Sequence, residues 1–289
     1  MKKKNKWIII FLLPTLLLCI LIYGAPTFIM FGSSFFDWRL LSGIEFSGLK
    51  NYMSLFQDKT FHKALFNTIL WAGLQGSLNI GLGVVVALIL ARKEFYWKFV
   101  RTIYVIPNII SNAALGVMFV TMFSPRIGII NSLIRAIGFH DFNVNWFSNY
   151  DTAFWAITAT WLPYAGICTI LVLAEITAID DAILEAAKMD GASRFKTDIY
   201  IVLPAVRNII ATCVVLGATS ALKNFDMIFI TTSGGPGKAT INLPLYIYKT
   251  AMLELNFGYA NTISVIVVLL GIFMVIGIRN IFKLGDDHI

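Results

Sequence analysis

Six apolar runs, each about as long as a membrane is thick, set the strongest limit on what this 289-residue chain can fold into. A helix needs about 20 apolar residues to cross a bilayer core of about 30 Å. Lipid offers no hydrogen-bonding partners, so only helices and closed barrels span it, and these runs lack the two-residue alternation of barrel strands. The sequence therefore predicts an all-α integral membrane fold with six transmembrane helices, at approximately 7–31, 65–90, 102–123, 153–174, 206–230 and 259–278.

The composition excludes soluble, disordered and disulfide-stapled proteins. Hydrophobic residues make up 58% of the chain and charged residues only 13%, which is about half the usual charged share. Cys19, Cys168 and Cys213 lie inside apolar runs, without a CxxC pair or a Cys/His cluster, so we interpret them as buried packing residues. No connection between spans is long enough for a soluble domain, which predicts a single transmembrane domain over residues 1–289.

The basic residues predict the orientation of the chain. The first run follows four lysines, but it is too long for a signal peptide and has no small-x-small cleavage site, so we expect a retained helix that begins inside the cell. Six spans then place both termini in the cytoplasm. Lysine and arginine number 14 on that side, counting Arg207 at the edge of the third cytoplasmic segment, and 8 on the other, as the positive-inside rule requires. The net charge of +7 thus follows from topology and gives no reason to expect nucleic acid as a partner. The predicted cytoplasmic segments are 1–6, 92–101, 175–205 and 279–289.

The loop 175–205 interleaves acidic and basic residues and predicts a helix-turn-helix at the membrane surface. Its first helix starts at Asp180, a capping residue, and stops at Gly191. The second runs from Ser193 towards Pro204. One interpretation is an amphipathic connector between two spans. The other is a docking site, which is favoured by the spacing Glu185-Ala186-Ala187, three residues, Gly191, nine residues, Ile201-x-Leu203-Pro204.

This spacing resembles the EAA signature in membrane subunits of binding-protein-dependent ABC importers. The resemblance is nearest to the carbohydrate branch, of the maltose and multiple-sugar type. The chain departs from the family at Asp180, where proline is usual, although aspartate can also begin a helix. Other segments similar to the family are Gly48-Leu49-x-Asn51-Tyr52, Asn67-Thr68, Arg101-x-x-Tyr104-x-x-Pro107, Gly128-x-Ile130-Asn131, Phe225-Asp226 and Thr232-x-Gly234-Gly235-Pro236.

The resemblance implies a type I importer permease fold in the bacterial cytoplasmic membrane, with a coupling helix between helices 4 and 5. That helix would dock on a cytoplasmic ABC ATPase dimer, which binds ATP and Mg²⁺, while a second homologous permease and an extracytoplasmic solute-binding protein complete the importer. Glutamate would make charged contacts, the alanines would allow close approach and Gly191 would supply the turn. The implied coupling residues are Glu185, Ala186, Ala187, Asp190, Gly191 and Ala192.

The chain itself shows no catalytic site, so the resemblance implies a transport subunit and not an enzyme. A phosphate loop around Gly237-Lys238 fails, because Thr232 and Ala239 stand where the pattern needs glycine and a hydroxyl residue. The three histidines are too scattered to predict a metal site, and no cofactor is expected in this chain.

A stripe of small and polar residues on the fifth span marks the expected substrate pathway. Gly217, Ser220, Ala221 and Asn224 fall on one face of a continuous helix. Such a stripe can be a helix-packing face, but in the sugar branch this region lines the central cavity. In the fourth span, a proline-broken helix beside an aromatic residue suits stacking on a sugar ring. The expected pathway therefore also includes Trp161, Leu162, Pro163 and Gly166.

Lys223 and Asp226 are charges inside the fifth span, where charge is costly unless it is paired or faces water. At a spacing of three residues they can pair with each other, and one interpretation is a salt bridge that locks the fifth span to a neighbour. The alternatives are contact of Lys223 with an acidic substrate, or gating between subunits.

The sequence thus predicts a membrane-embedded permease that takes a carbohydrate, an oligosaccharide, across the cytoplasmic membrane, in contact with lipid. Alternative substrates are an acidic sugar, a sugar phosphate and a polyol. Alternatives of another class are a stand-alone secondary transporter and a membrane scaffold.

Overall fold

The computed structural model describes residues 2–92, 99, 102, 104, 106–162 and 164–283, without the side chains of 2–10, 107 and 108. Pro163, Arg101 and most of the predicted cytoplasmic segments 92–101 and 279–289 therefore lie outside the described residues or at their edge.

Helices make up most of the described chain, as the apolar runs predict. The α-helices are α1 Lys2–Cys19, α2 Ala25–Ser33, α3 Lys50–Gln57, α4 Lys59–Leu74, α5 Ile80–Leu90, α6 Asn112–Met122, α7 Ile129–Ala136, α8 Tyr150–Trp161, α9 Gly166–Thr177, α10 Asp181–Met189, α11 Arg194–Thr197, α12 Leu203–Ala205, α13 Arg207–Ala221, α14 Asp226–Thr231, α15 Leu243–Tyr248 and α16 Phe257–Phe282. Single π-helical turns interrupt long helices at Ile20–Gly24, Gln75–Asn79, Asp198–Val202 and Lys249–Leu253, and a 3₁₀ turn covers Ile106–Ile109. Two short strands, β1 Phe36–Arg39 and β2 Gly43–Phe46, form an antiparallel hairpin.

Four helical stretches in the described chain are long and apolar enough to cross a membrane, namely Phe11–Ser33, Lys59–Leu90, Tyr150–Thr177 and Phe257–Phe282. They correspond to the first, second, fourth and sixth predicted spans. A fifth is Arg194–Ala205 with Arg207–Ala221, if these helices, bent by 71°, count as one span. In the region of the predicted third span, Asn112–Met122 is a shorter apolar helix. The total of six spans stays a prediction.

The fifth predicted span, 206–230, differs from expectation because it is not one helix. Helix α13 ends at Ala221 and α14 begins at Asp226. The last turn of α13 tightens, since the N–H groups of Leu222 and Lys223 donate three residues back, to the carbonyls of Thr219 and Ser220. Such 3₁₀ bonds are common where an α-helix ends.

The described chain divides into two compact units. The single transmembrane domain over residues 1–289 stays a prediction. The first unit comprises Met1–His62 and Tyr246–Leu269, and the second comprises Lys63–Leu245 and Leu270–Ile289.

The first unit joins the β-hairpin to the start of α16. The side-chain amide of Asn51 donates to the carbonyls of Ser34 at 3.0 Å and Phe36 at 2.9 Å. The hydroxyl of Thr262 on α16 donates to the Ser34 carbonyl at 3.1 Å. At Gly258, a Cβ atom would collide with the carbonyl oxygen of Phe36, so only glycine permits this approach.

Asp58 is a second junction within the first unit. The hydroxyls of Tyr246 and Tyr259 both donate to its Oδ2 atom, the latter at 3.0 Å, and the N–H of Thr60 donates to Oδ1 at 2.7 Å. Burial raises the pKa of the Asp58 carboxyl, but the hydrogen bonds outweigh burial and hold that pKa below its usual value. The carboxylate is therefore charged and fully occupied by donors of its own chain.

The second unit has a core in which α5, α9 and α13 meet, with Ile80, Ala87, Val172 and Val206 among its buried residues. Gly83 allows α5 and α9 to approach closely, since a Cβ there would lie 3.0 Å from Ala165 Cβ and from Cys168 Sγ.

The cysteines only partly follow the prediction. Cys168 and Cys213 are buried in this core, as expected. Cys19 is exposed, which corrects the interpretation that all three are buried. The reason is that none of the hydrophobic window of Phe11–Ser33 is buried inside this chain, so apolar character here does not mean packing against the chain.

Candidate substrate cavity and coupling loop

The loop 175–205 folds as the predicted helix-turn-helix, and its first helix, α10, is capped at both ends. At the start, the Asp180 side chain accepts from the N–H of Ala182 at 2.9 Å. At the end, the N–H of Ala192 donates to the carbonyl of Ala187 at 3.0 Å and that of Gly191 to Lys188 at 3.1 Å. This pair of bonds is the Schellman motif, which needs a left-handed residue, and Gly191 has φ +77°.

The predicted coupling residues do not all face outward. Glu185, Ala186, Asp190 and Gly191 are exposed and Ala192 is half-buried. Ala187 is 7% exposed and packs against its own chain, and the close contact with a partner that the resemblance implies for it stays a prediction.

Large apolar side chains, which sequence analysis did not single out, lie on the outer surface of this loop. Ile183, Met189, Phe195 and Tyr200 are at least half exposed, with Met189 at 86%. Exposed aromatic and methionine side chains are of the kinds enriched at protein interfaces.

The inner side of the loop is attached to the core of the second unit. Ile179 and Leu184 pack against the cluster that contains Leu90, Val172 and Val206. Arg92, after α5, forms an ion pair with Asp198 at 3.3 Å. A displacement of α10 would therefore be passed to α5, α9 and α13.

A cavity of about 580 Å³ lies within the second unit, between the ends of several helices. It is walled by four amide side chains, two aromatic rings, two hydroxyls and a lysine. These residues are Gln75, Asn79, Asn112, Asn224, Trp161, Tyr164, Thr219, Ser220 and Lys223. Apolar atoms complete the wall, among them those of Ile80, Leu115, Cys168, Cys213 and Met227.

Half of the predicted pathway residues line this cavity. They are Trp161, Gly217, Ser220, Lys223 and Asn224. Leu162, Gly166, Ala221 and Asp226 are not part of its wall, and Pro163 is outside the described residues.

Sequence analysis missed Gln75, Asn79 and Asn112. The signal for the first two was present, because Gln75-Gly76-Ser77 and Asn79 interrupt an otherwise apolar span, and polar groups at that depth are costly unless they serve a purpose. The Ser220 hydroxyl donates to the Gln75 side-chain oxygen at 2.6 Å. This bond ties the second span to α13 at the cavity.

The predicted fourth and fifth spans are both interrupted beside the cavity. The predicted break in the fourth span is observed, since α8 ends at Trp161 and α9 begins at Gly166. The side chain of Asn79 donates to two carbonyls at that break, those of Trp161 at 3.3 Å and Leu162 at 2.8 Å. The break after Ala221 brings Lys223 and Asn224 to the cavity wall, so Asn224 does not reach it along the continuous stripe that the sequence predicts.

Lys223 and Asp226 do not form the ion pair that their spacing allows. Neither residue takes part in the described ion pairs Arg39–Asp37 and Arg92–Asp198. The physical reason is the helix break, because side chains three residues apart face each other only on an uninterrupted helix. Lys223 instead lines the cavity.

In the ranges that the structure covers, no group of three or more histidine, cysteine, aspartate or glutamate side chains could hold a metal ion.

Comparison with known proteins confirms the predicted resemblance. The profile of the family described as "Binding-protein-dependent transport system inner membrane component" matches residues 79–283. The probable ABC transporter permease protein YurN of Bacillus subtilis is 31% identical over the whole of both chains. The lactose transport system permease protein LacF of Rhizobium radiobacter is 31% identical over 78% of each chain. The sulfoquinovosyl glycerol transport system permease protein SmoG of Agrobacterium fabrum is 30% identical over 89% of this chain and 84% of its own.

Solved structures show the same fold. A chain of a bacterial ABC transporter involved in the import of the acidic polysaccharide alginate superposes with a TM-score of 0.85, at 23% identity, over 99% of this chain and 98% of its own. A chain of the MetNI methionine ABC transporter gives a TM-score of 0.58 at 15% identity, over 81% and 97%. The protein therefore belongs to the family of binding-protein-dependent transport system inner membrane components, and it is a multi-pass membrane permease with the fold of ABC importer permeases.

Proposed function

We propose that this protein is a permease subunit of an ATP-driven ABC importer that moves a carbohydrate, an oligosaccharide, across the cytoplasmic membrane. The observation that carries the proposal is the cavity of the second unit, whose wall combines amides, hydroxyls and aromatic rings. The relatives support it, since they include permeases named for lactose and for sulfoquinovosyl glycerol transport.

The chemistry of the wall suits a sugar. Each hydroxyl of a sugar donates and accepts, and a side-chain amide offers both functions. Trp161 and Tyr164 supply aromatic faces on which the apolar face of a sugar ring can stack. The volume lies within the range of about 300–1,000 Å³ that is usual for small-molecule sites.

Lys223 favours a second candidate substrate, an acidic sugar or a sugar phosphate. Among the described residues that line the cavity, Lys223 is the one with a charged side chain, and no described carboxylate forms an ion pair with it. An anionic group on the substrate would offset the cost of a cation in a membrane-spanning segment.

The coupling loop supplies the proposed connection to ATP hydrolysis. One subunit of a cytoplasmic ATPase dimer, which binds ATP and Mg²⁺, would bind α10 and its apolar neighbours in a cleft. Exposed Glu185 would form a charge-assisted contact with an ATPase side chain. A second permease would complete the translocation pathway, and an extracytoplasmic binding protein would deliver the sugar. Both termini would lie in the cytoplasm.

Copurification tests the assembly. The tagged protein, extracted gently from its native membrane, should bring a second permease and an ATPase with it, and Glu185→Lys should lose the ATPase because the charge is reversed at the contact. Glu175→Lys is the matched control, since Glu175 is exposed in the same loop but lies on α9. It should retain the ATPase. Recovery of the protein alone, as a homo-oligomer that still transports, would overturn the proposal in favour of a secondary transporter.

A further inference from the structure

Asn242 is fully buried beside the cavity, although it does not line it. Its side-chain amide donates to the backbone carbonyl of Asn224, and its side-chain oxygen accepts from the N–H of Leu245 at 3.1 Å. Both functions of the side chain are thus in use.

The segment that carries Asn242 is itself fixed to the second span. Buried Asn67 on α4 donates to the carbonyls of Ala239 at 2.9 Å and Ile241 at 2.8 Å. The Thr68 hydroxyl accepts from the N–H of Leu243 at 3.0 Å. Asn242 therefore acts from a rigid support.

The carbonyl that Asn242 holds is one of those that lose their helical donor at the break in the fifth span. In an uninterrupted helix, the Asn224 carbonyl would accept from the N–H of Ile228. A carbonyl without a partner is costly in a membrane-spanning segment, so a chain without the Asn242 donor gains by closing the break into one helix. Each residue of a helix is rotated by about 100° from the last, so closing the break would change the directions of Lys223 and Asn224.

The break in the fourth span shows the same arrangement. There Asn79 donates to the carbonyls of Trp161 and Leu162 at the break, but Asn79 is itself part of the cavity wall. Asn242 differs because it acts on the cavity only through the backbone it holds.

We propose that Asn242 is a positioning residue: by holding the Asn224 carbonyl it keeps the fifth span broken and thereby directs Lys223 and Asn224 into the cavity. This inference rests on the proposed function only in taking the cavity as the substrate pathway.

Thiol labelling of the full-length protein in native membrane vesicles tests the inference without knowledge of the substrate. Cys19→Ser, Cys168→Ala and Cys213→Ala remove the natural thiols, and Lys223→Cys introduces a reporter. The probe is 2-sulfonatoethyl methanethiosulfonate, and the rate of modification is measured. A smaller amount of folded protein does not alter a rate.

The rate at Lys223→Cys should fall at least tenfold when Asn242→Leu is added. Asn242→Asp should also slow it, since aspartate keeps the shape and the acceptor for Leu245 but lacks the donor. A second reporter, Asn112→Cys, lies elsewhere on the wall, on α6, and its rate should stay within twofold.

Asn131→Leu is the matched control, because Asn131 is equally buried and donates to the carbonyls of Pro125 and Val144, away from the cavity wall. It should leave the Lys223→Cys rate unchanged. An unchanged rate in Asn242→Leu, or an equal fall at Asn112→Cys, would overturn the positioning role and leave the proposed function standing. Failure of Lys223→Cys to react at all, even with Asn242 present, would overturn the cavity as a water-filled pathway, and both proposals with it.

Discussion

At the scale of single residues, Lys223 and Asp226 show how a local break changes the meaning of a spacing. Their separation of three residues predicts a mutual ion pair, yet four residues between α13 and α14 are not helical. The sequence from Ala221 to Asp226 contains no proline or glycine that would announce the break. Asn242, which donates to the Asn224 carbonyl at the break, is 18 residues further along the chain, and a local sequence pattern does not reveal such a contact.

Lys223→Met and Asp226→Asn should therefore act independently. Since the side chains form no pair, the free energies of unfolding of the single variants should add in the double variant to within about 0.5 kcal/mol. Thermal unfolding of the purified protein in detergent measures this. A coupling energy well above that value would mean that the two charges interact.

The same lysine variant distinguishes the two candidate substrates. If Lys223→Met loses uptake of an acidic oligosaccharide but keeps uptake of a neutral one, the acidic substrate is favoured. An equal loss of both would contradict contact between Lys223 and an acidic substrate.

At the scale of elements, the coupling loop was predictable in detail because its signals are local. Asp180 caps α10 and Gly191 ends it, each within one turn of the boundary it sets. The long helices followed from the lengths of the apolar runs. The burial of the Ala187 side chain could not be predicted, since it depends on which face of α10 packs on the core.

The approach of α5 and α9 at Gly83 yields a prediction at this scale. Gly83→Val should destabilise the protein by about 1–3 kcal/mol, because the added side chain has to displace Ala165 and Cys168. Gly81→Val is the control in the same helix, since a Cβ at Gly81 meets no atom within 4 Å. Unfolding temperatures in detergent should fall for the first variant and stay near that of the unsubstituted protein for the second. Equal behaviour of both would contradict the close packing.

At the scale of the whole molecule, the distribution of basic residues predicts which parts of the chain face outward. In a protein with the natural cysteines replaced, Ser42→Cys in the hairpin turn should react with an impermeant maleimide added to intact cells. Lys188→Cys on α10 should react only after the cells are permeabilised. Both side chains are exposed, so accessibility within the protein does not limit either reaction. The opposite pattern would reverse the predicted topology.

The first unit is assembled from both ends of the sequence, and this has a consequence for how the protein is made. Asp58 receives its tyrosine donors from residues 188 and 201 positions further on. During synthesis the carboxylate leaves the ribosome long before either tyrosine is translated, and until then its hydrogen-bond donors are water and nearby backbone groups. A nascent chain that stops short of Tyr246 therefore carries an unfinished junction, so the first unit can be completed only late in translation.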